Sequence, residues 1–153
     1  MDKTFRFNPF NISEWSNEQI KEQYSELEKM ITYGDMPIEI SNDIDIYANL
    51  GYLIGEMIAR YYEQTSILDA KLKVNLSNTI YLERNQWLKM NSDKPPAMTY
   101  FESKAQSMYL DDSMELVQKE ANLKRFKYAY DSIESKQNAL KKKLESYKYE
   151  GLR

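Results

Sequence analysis

SMELVQKEANLKRFKYAYDSIESKQNALKKKLESYKY, residues 113–149, is the stretch that decides the fold of this chain. Its apolar residues recur at alternating intervals of three and four, which is the heptad pattern of helices that pack along a seam. We call the positions of this pattern the heptad seam: Leu116, Lys119, Leu123, Phe126, Tyr130, Ile133, Gln137, Leu140, Leu144 and Tyr147. Eight of these ten positions are apolar or aromatic. The stretch therefore predicts one long helix with coiled-coil character.

The heptad seam also predicts how copies of the chain assemble. Helices with such a seam commonly bundle with one another. We expect oligomerisation through its apolar residues, which are Leu116, Leu123, Phe126, Tyr130, Ile133, Leu140 and Leu144. Gln137 places a polar group in the seam. Such a residue either fixes the register and the number of helices or is simply tolerated where the seam is wide.

A second long helix is predicted from about Asp43 to Met90. This stretch contains no proline, and its apolar residues recur on one helical face. A helix of ~48 residues would span about 70 Å. The side chains from Asn75 to Thr79 compete for backbone hydrogen bonds, so the sequence allows a break there. Asp93-Lys94-Pro95-Pro96 ends the helix that precedes it, because the residue before a proline avoids the helical conformation.

Gly51, Gly55 and Ala59 lie four residues apart on this second helix and form a smooth ridge. Glycine destabilises a helix interior by ~1 kcal/mol relative to alanine. Two glycines within one turn therefore indicate that close contact with a neighbouring helix, or a bend, compensates for the loss. We favour the contact and expect Gly51 and Gly55 to take part in oligomerisation.

The N-terminal residues are predicted to form an acidic arm. Ser16, or Ser13 ahead of it, caps a short helix over residues 16–32, and Gly34 ends that helix. Residues 34–42 then form an extended connector.

Shorter signals complete the predicted fold. Thr99 and Glu102 have the spacing of a capping box that opens a short helix to about Tyr109, and acidic residues follow it at the start of the last helix. The fold class is all-α: two long helices that form a helical hairpin or bundle with coiled-coil character, plus two short helices. We divide the chain into an N-terminal arm, residues 1–42, and an assembly domain, residues 43–153.

The composition excludes most enzyme chemistry. The 153 residues include neither Cys nor His, which removes thiolate nucleophiles, imidazole bases and soft metal sites. The four glycines are scattered and cannot form a phosphate-binding loop. The pairs Asp43 with Asp45 and Asp111 with Asp112 are better explained as helix caps than as magnesium ligands. We expect no catalytic residue, no cofactor and no bound metal.

The net charge of −3 hides a gradient along the chain. Residues 1–50 carry 4 basic and 10 acidic groups, whereas residues 119–153 carry 10 basic and 5 acidic groups. One interpretation is that the basic end attracts an anionic partner or the acidic end of another subunit. The other is that oppositely charged helices lie antiparallel within one fold.

Basic and aromatic residues cluster towards the end of the second long helix. Lysine and arginine neutralise phosphates while planar side chains stack on exposed bases, a combination that binds single strands without sequence preference. The candidate nucleic-acid-binding residues are Lys71, Lys73, Arg84, Lys89 and Trp87, with Tyr81 among them. The alternative is a solvated helix face with Trp87 in the core, which the spacing alone favours.

The chain shows no sign of membrane insertion. No apolar run reaches the ~18 residues that a membrane span needs. The N-terminus MDKTFRFNPF, which includes Phe5 and Phe7, lacks the apolar stretch of a signal peptide. We expect a cytoplasmic protein with no membrane partner and no small-molecule substrate.

From about residue 43 to residue 150 the layout resembles the UvsY family of phage recombination mediators. Three segments carry the resemblance: Tyr47-Ala48-Asn49, Glu115–Leu123 and Asn138-Ala139-Leu140-Lys141-Lys142. Arg84 matches the arginine of the family's Lys-x-Arg step, whereas Leu82 stands at the position of the lysine. The chain also differs from the family in its pI of about 5.2 and its additional acidic N-terminal helix.

The resemblance implies a non-enzymatic, ring-forming homo-oligomer that binds single-stranded DNA in the cytoplasm of the host cell. It also implies contacts with a RecA-type recombinase, which the protein helps to load, and with single-strand binding protein. Two other functions fit the sequence. One is a phage-type inhibitor or adaptor that binds a host protein, and the other is a coiled-coil structural or assembly protein.

Overall fold

The computed structural model describes residues 9–91 and 93–151. A 3-10 helix at Pro9–Glu14 precedes four helices: α1 (Asn17–Met30), α2 (Pro37–Met90), α3 (Met98–Met108) and α4 (Leu110–Tyr149). The described residues contain no strand, so the predicted all-α class with two long helices is confirmed. The aromatic residues Phe5 and Phe7 lie outside the described residues.

Helix α1 begins as the sequence predicts but ends differently. The Ser16 hydroxyl accepts a hydrogen bond from the Gln19 amide at 3.1 Å, and the Gln19 side chain accepts one from the Ser16 amide at 2.8 Å. The predicted cap at Ser16 is confirmed, and together with Gln19 it forms a capping box. At the other end, Gly34 is not the left-handed cap. That conformation is taken by Tyr33, whose φ is 53°.

Asp43 explains the shape of the turn between α1 and α2. Its carboxylate is 2% exposed and accepts hydrogen bonds from the Thr32 amide at 2.8 Å, the Thr32 hydroxyl at 3.1 Å and the Tyr33 amide at 3.0 Å. Helix α2 has already begun at Pro37. The predicted extended connector is therefore wrong from residue 37 onward, and Asp43 lies inside α2 rather than at its cap.

Helix α2 runs without a break through Asn75–Thr79. The Thr79 hydroxyl bonds to the hydroxyl of Tyr109 at 3.2 Å, so this side chain does not disrupt its own helix. The helix ends at Met90, as predicted. The capping box expected at Thr99 does not form, because Ala97 occupies the N-cap and has no side-chain acceptor.

The chain forms two compact units, and we describe each by itself. Unit 1 comprises residues 1–60 and 124–153, and unit 2 comprises residues 61–123. The buried apolar residues of unit 1 come from the 3-10 helix, α1, the first half of α2 and α4, and they are Ile12, Trp15, Ile20, Leu27, Ile40, Ile46, Tyr47, Leu50, Leu53, Ile54, Met57 and Ile133.

Arg60 fastens the N-terminal elements of unit 1 to α2. Its guanidinium donates to Glu56 at 2.9 Å, to the Asn17 side chain at 2.9 Å and to the Ile12 carbonyl at 2.8 Å. Three separate acceptors satisfy one planar donor group, which is the geometry that suits arginine better than lysine.

The charge gradient is largely neutralised inside unit 1. Residues 1–60 carry 5 basic and 11 acidic groups, residues 124–153 carry 9 and 4, and together they have a net charge of −1. Lys143 of α4 forms an ion pair with Asp35. The hydrogen bond from Lys143 lowers the pKa of the Asp35 carboxyl. Of the two interpretations of the gradient, the structure supports oppositely charged segments within one fold.

In unit 2, residues 61–90 of α2 pack against α3 and the start of α4. The buried side chains include Leu72, Phe101, Ala105 and Leu123. Two polar contacts show that α3 and the start of α4 run antiparallel to α2. Lys104 of α3 pairs with Glu83 at 2.7 Å, and Lys119 of α4 donates a hydrogen bond to Gln64 at 3.3 Å.

The heptad seam faces α2 of the same chain within each unit. Leu123 and Ile133 are buried, Tyr130 is 39% exposed, and the other seam residues are half-buried. The Gln137 side chain donates to the carbonyl of Ile44 in α2 at 3.2 Å. The predicted apolar face is thus real, and intramolecular packing uses it. Oligomerisation through this face remains a prediction.

The glycine ridge is less crowded than the sequence suggests. A Cβ at Gly51 would lie 3.7 Å from Ile133 and 3.9 Å from Tyr130, which are ordinary contacts, and a Cβ at Gly55 would meet no described atom within 4 Å. Packing inside the chain therefore requires glycine at neither position. The two glycines instead line an open groove with Tyr52, Glu56, Tyr130 and Glu134.

Candidate nucleic-acid interface

An exposed apolar stripe runs along α2 in unit 2. It consists of Ile67, Val74, Tyr81 and Leu88, which are 48%, 58%, 67% and 46% exposed, and we call it the α2 stripe. Because a helix turns about 100° per residue, positions seven apart drift by only about 20°. The buried residues Thr65, Leu72 and Thr79 have the same spacing on the opposite side of the helix.

The four predicted cations form two rows that flank the α2 stripe. Lys71 and Lys89 are 18 residues apart, which is about five whole turns. Lys73 and Arg84 are 11 residues apart, which is about three turns. All four residues are exposed. The rows lie about 150° apart around the helix axis, with Tyr81 between them.

Some basic groups of unit 2 form ion pairs with acidic neighbours. Lys73 pairs with Asp69 at 2.7 Å, and the hydrogen bond raises the pKa of that ammonium group. Glu83 raises the pKa of Lys104 in the same way. These lysines are therefore protonated at neutral pH, and the two carboxylates are already engaged in ion pairs.

Trp87 does not belong to the α2 stripe. It is half-buried and lines a cleft between the end of α2 and α3. The residues that line this cleft, which we call the Trp87 cleft, are Glu83, Gln86, Trp87, Met90, Asn91, Tyr100, Phe101 and Lys104. Trp87 is thus neither a fully exposed stacking platform nor a core residue.

Several residues of these surfaces were not predicted from the sequence. The predicted apolar face of α2 is its buried side, and the seven-residue spacing of Ile67, Val74, Tyr81 and Leu88 was not singled out, although it is visible in the sequence. Tyr100 and Lys104 were also missed. Their spacing of four residues on one helix was the available signal.

The described residues also bear on metal sites and on membrane spans. No group of three or more acidic side chains there is arranged to hold a metal ion. No helix within residues 9–91 and 93–151 is both long and apolar enough to cross a membrane. Comparisons of the chain with protein-family models, curated proteins and solved structures each found no match.

Proposed function

We propose that this protein binds single-stranded DNA along the outer face of α2 and acts as a non-enzymatic accessory factor in DNA recombination. One observation carries the DNA-binding part: the exposed ring of Tyr81 lies in an apolar stripe between two rows of cations. Residues 71 to 89 extend over about 27 Å of helix. This length is sufficient for several nucleotides of a single strand.

The physical basis is electrostatic attraction combined with stacking. Each lysine or arginine that neutralises a phosphate releases condensed counterions. Aromatic rings bind bases of any sequence because every base has a planar face, with ~1–3 kcal/mol per stacked base. The four cations supply the first contribution and Tyr81 supplies the second.

The mediator role rests on the resemblance to the UvsY family, in which Arg84 matches a basic position. On this proposal the chain forms a homo-oligomer and helps to load a recombinase on strands held by single-strand binding protein. These partners are expectations from the resemblance.

A second candidate function has its own observation. The heptad spacing of Ile67, Val74, Tyr81 and Leu88 is also the pattern that receives a partner helix. An inhibitor or adaptor that binds a host protein, or a structural assembly protein, would use the same stripe for protein contact.

A salt titration of binding to an oligonucleotide tests the first proposal. With four phosphate contacts, the logarithm of the binding constant falls with the logarithm of salt at a slope of about −2.8. Replacement of Lys71 and Lys89 by glutamine is expected to reduce the magnitude of this slope by about half. The matched control replaces Lys141 and Lys142, two exposed lysines of α4, and is expected to leave the slope unchanged.

Two results would contradict DNA binding at this face. The first is no detectable binding at low salt. The second is equal loss of binding in both double variants, because that would show a general charge effect rather than contact with the two rows.

A further inference from the structure

We propose that the Trp87 cleft receives one base of the bound single strand, between the indole of Trp87 and the ring of Tyr100, while Lys104 binds an adjoining phosphate. This inference rests on the proposed DNA binding. It goes further because it assigns one base of the DNA to the Trp87 cleft and the phosphates of the DNA backbone to the cations.

The two aromatic walls come from different helices. Trp87 lies near the end of α2, and Tyr100 lies in the first turn of α3 with its ring 52% exposed. The ring of Tyr100 makes an edge-to-face contact with Phe101, whose ring centroid lies 5.3 Å away at an interplanar angle of 81°. Phe101 itself is 2% exposed. A packed residue thus anchors the exposed ring in place.

The polar groups of the cleft suit a nucleotide better than an apolar side chain. The Lys104 ammonium lies 2.7 Å from the Glu83 carboxylate, and two of its three N–H donors are left for a phosphate. Gln86 and Asn91 bring amide groups to the same cleft. The Asn91 side chain donates one hydrogen bond to the Trp87 carbonyl at 3.0 Å, and its oxygen is an acceptor of the kind that base edges need.

The cleft lies beside one of the two cation rows. Arg84 precedes Trp87 by three residues, which places the two side chains about 60° apart around the axis of α2. A strand that follows Lys73 and Arg84 therefore reaches the cleft, whereas Lys71 and Lys89 lie on the other side of the helix. The geometry places the base that enters the Trp87 cleft on the Lys73 side of the stripe, in addition to any base that stacks on Tyr81.

The test uses the fluorescence of Trp87 in the full chain. Replacement of the buried Trp15 by phenylalanine leaves Trp87 as the one indole. This protein is titrated with an oligothymidylate of about 20 nucleotides, longer than the ~4–16 nucleotides of common single-strand sites, and with an abasic strand of the same length. We expect the oligothymidylate to quench the fluorescence and the abasic strand to bind without quenching.

Substitutions at Tyr100 and Lys104 add an independent readout. Tyr100→Ala is expected to weaken binding of the oligothymidylate about five-fold or more, with little effect on the abasic strand. Tyr100→Phe keeps the ring and is expected to bind like the parent, and Lys104→Gln is expected to weaken both strands. Tyr128→Ala removes an exposed tyrosine of α4 and serves as the matched control.

The outcomes separate this inference from the proposed function. The proposed base site is overturned if binding depends on salt but does not change the Trp87 fluorescence, and if both strands bind with equal affinity. That result would leave the proposed DNA binding intact. Failure of both strands to bind at low salt would overturn both. Quenching by the oligothymidylate that Tyr100→Phe retains and Tyr100→Ala loses would establish the base site.

Discussion

At the scale of single residues, the Asp43 carboxylate holds the turn between α1 and α2. It is buried and accepts hydrogen bonds from two backbone amides and one hydroxyl. One of those amides belongs to Tyr33, a non-glycine residue in the left-handed region. The hydrogen bond therefore also stabilises a backbone conformation that costs about 1–2 kcal/mol.

Asp43→Ala is expected to lower the free energy of unfolding by about 3 kcal/mol, because it removes the hydrogen bonds that Thr32 and Tyr33 donate to a buried carboxylate. Asp43→Asn keeps one oxygen acceptor and should cost less. Chemical denaturation measures both. Asp45→Asn, at an exposed position two residues away, is the control, and an equal loss there would contradict the assigned role.

The protein is expected to lose stability at alkaline pH because of two tyrosines of unit 1. Burial, followed by the charge of Glu28, raises the pKa of Tyr24, and burial, followed by Tyr33 and Asp43, raises the pKa of Tyr47. The folded-state pKa of each tyrosine lies above the unfolded value of about 10. The contribution of the two tyrosines to the free energy of unfolding is therefore present below pH ~10 and is lost as the pH rises through the folded-state pKa. We expect the free energy of unfolding to fall above this pH.

Denaturation curves at several alkaline pH values test this expectation. The double variant Tyr24→Phe, Tyr47→Phe should show a shallower decline, because phenylalanine does not ionise. A variant of the exposed Tyr128 serves as the control. An unchanged decline in the double variant would show that other groups cause the loss.

Local signals at this scale were readable from the sequence, and distant ones were not. The cap at Ser16 bonds to a residue only three positions away, and a cap at this residue or at Ser13 was predicted from the sequence. Asp43 was misplaced at a helix cap because its true partners lie 10 and 11 residues earlier in the chain. No propensity rule connects a carboxylate to amides at that separation.

At the scale of elements, the heptad seam predicted both the long helix and its covered face. It could not predict the partner, because an apolar periodicity specifies a face and not what lies against it. The partner is α2 of the same chain, as the hydrogen bond from Gln137 to Ile44 shows. The glycines of α2 face no close neighbour inside the chain, and their part in oligomerisation stays a prediction.

Gly55→Ala is expected to stabilise the protein by about 1 kcal/mol, since alanine favours the helix and the added methyl group meets open space. Thermal unfolding measures the change. Gly51→Ala, whose Cβ makes ordinary contacts with Ile133 and Tyr130, provides a comparison with a similar expected sign. Destabilisation by Gly55→Ala would indicate that the groove beside this residue is occupied in solution.

At the scale of the whole molecule, the seam and the α2 stripe should respond differently to substitution. The native mass distinguishes the two functions proposed for the α2 stripe: a protein that uses the stripe for self-association has a native mass above the 18.2 kDa of one chain, because four exposed apolar residues in a line favour association. Replacement of Ile67 and Val74 by glutamine then returns the mass to that of a monomer, whereas a stripe that binds DNA leaves the mass unchanged by the same replacement.

The control for this experiment lies in the heptad seam. Leu123→Ala removes a buried side chain and should lower the melting temperature without changing the mass. The opposite pattern, with the mass altered by Leu123→Ala and unaffected by the stripe variant, would place assembly at the seam.

The candidate interface was partly predictable at this scale. The cations Lys71, Lys73, Arg84 and Lys89 were found because charge and composition are visible in a sequence. Their division into two rows followed only once α2 was known to be one unbroken helix. The Trp87 cleft needs α3 to fold back beside α2, and two prolines interrupt the pattern between those helices.

The two segments of unit 1 are synthesised at different times, and this has a consequence for the nascent chain. Residues 61–123 separate the two segments of this unit. At ~5–20 residues per second, a ribosome needs roughly 3 to 13 seconds to cross that interval. During this time Tyr47 and Gly51 lack the α4 residues Tyr130 and Ile133, which line the same groove in the folded protein. The nascent chain is therefore most open to chaperones, and to premature contact with other chains, just before residues 124–153 appear.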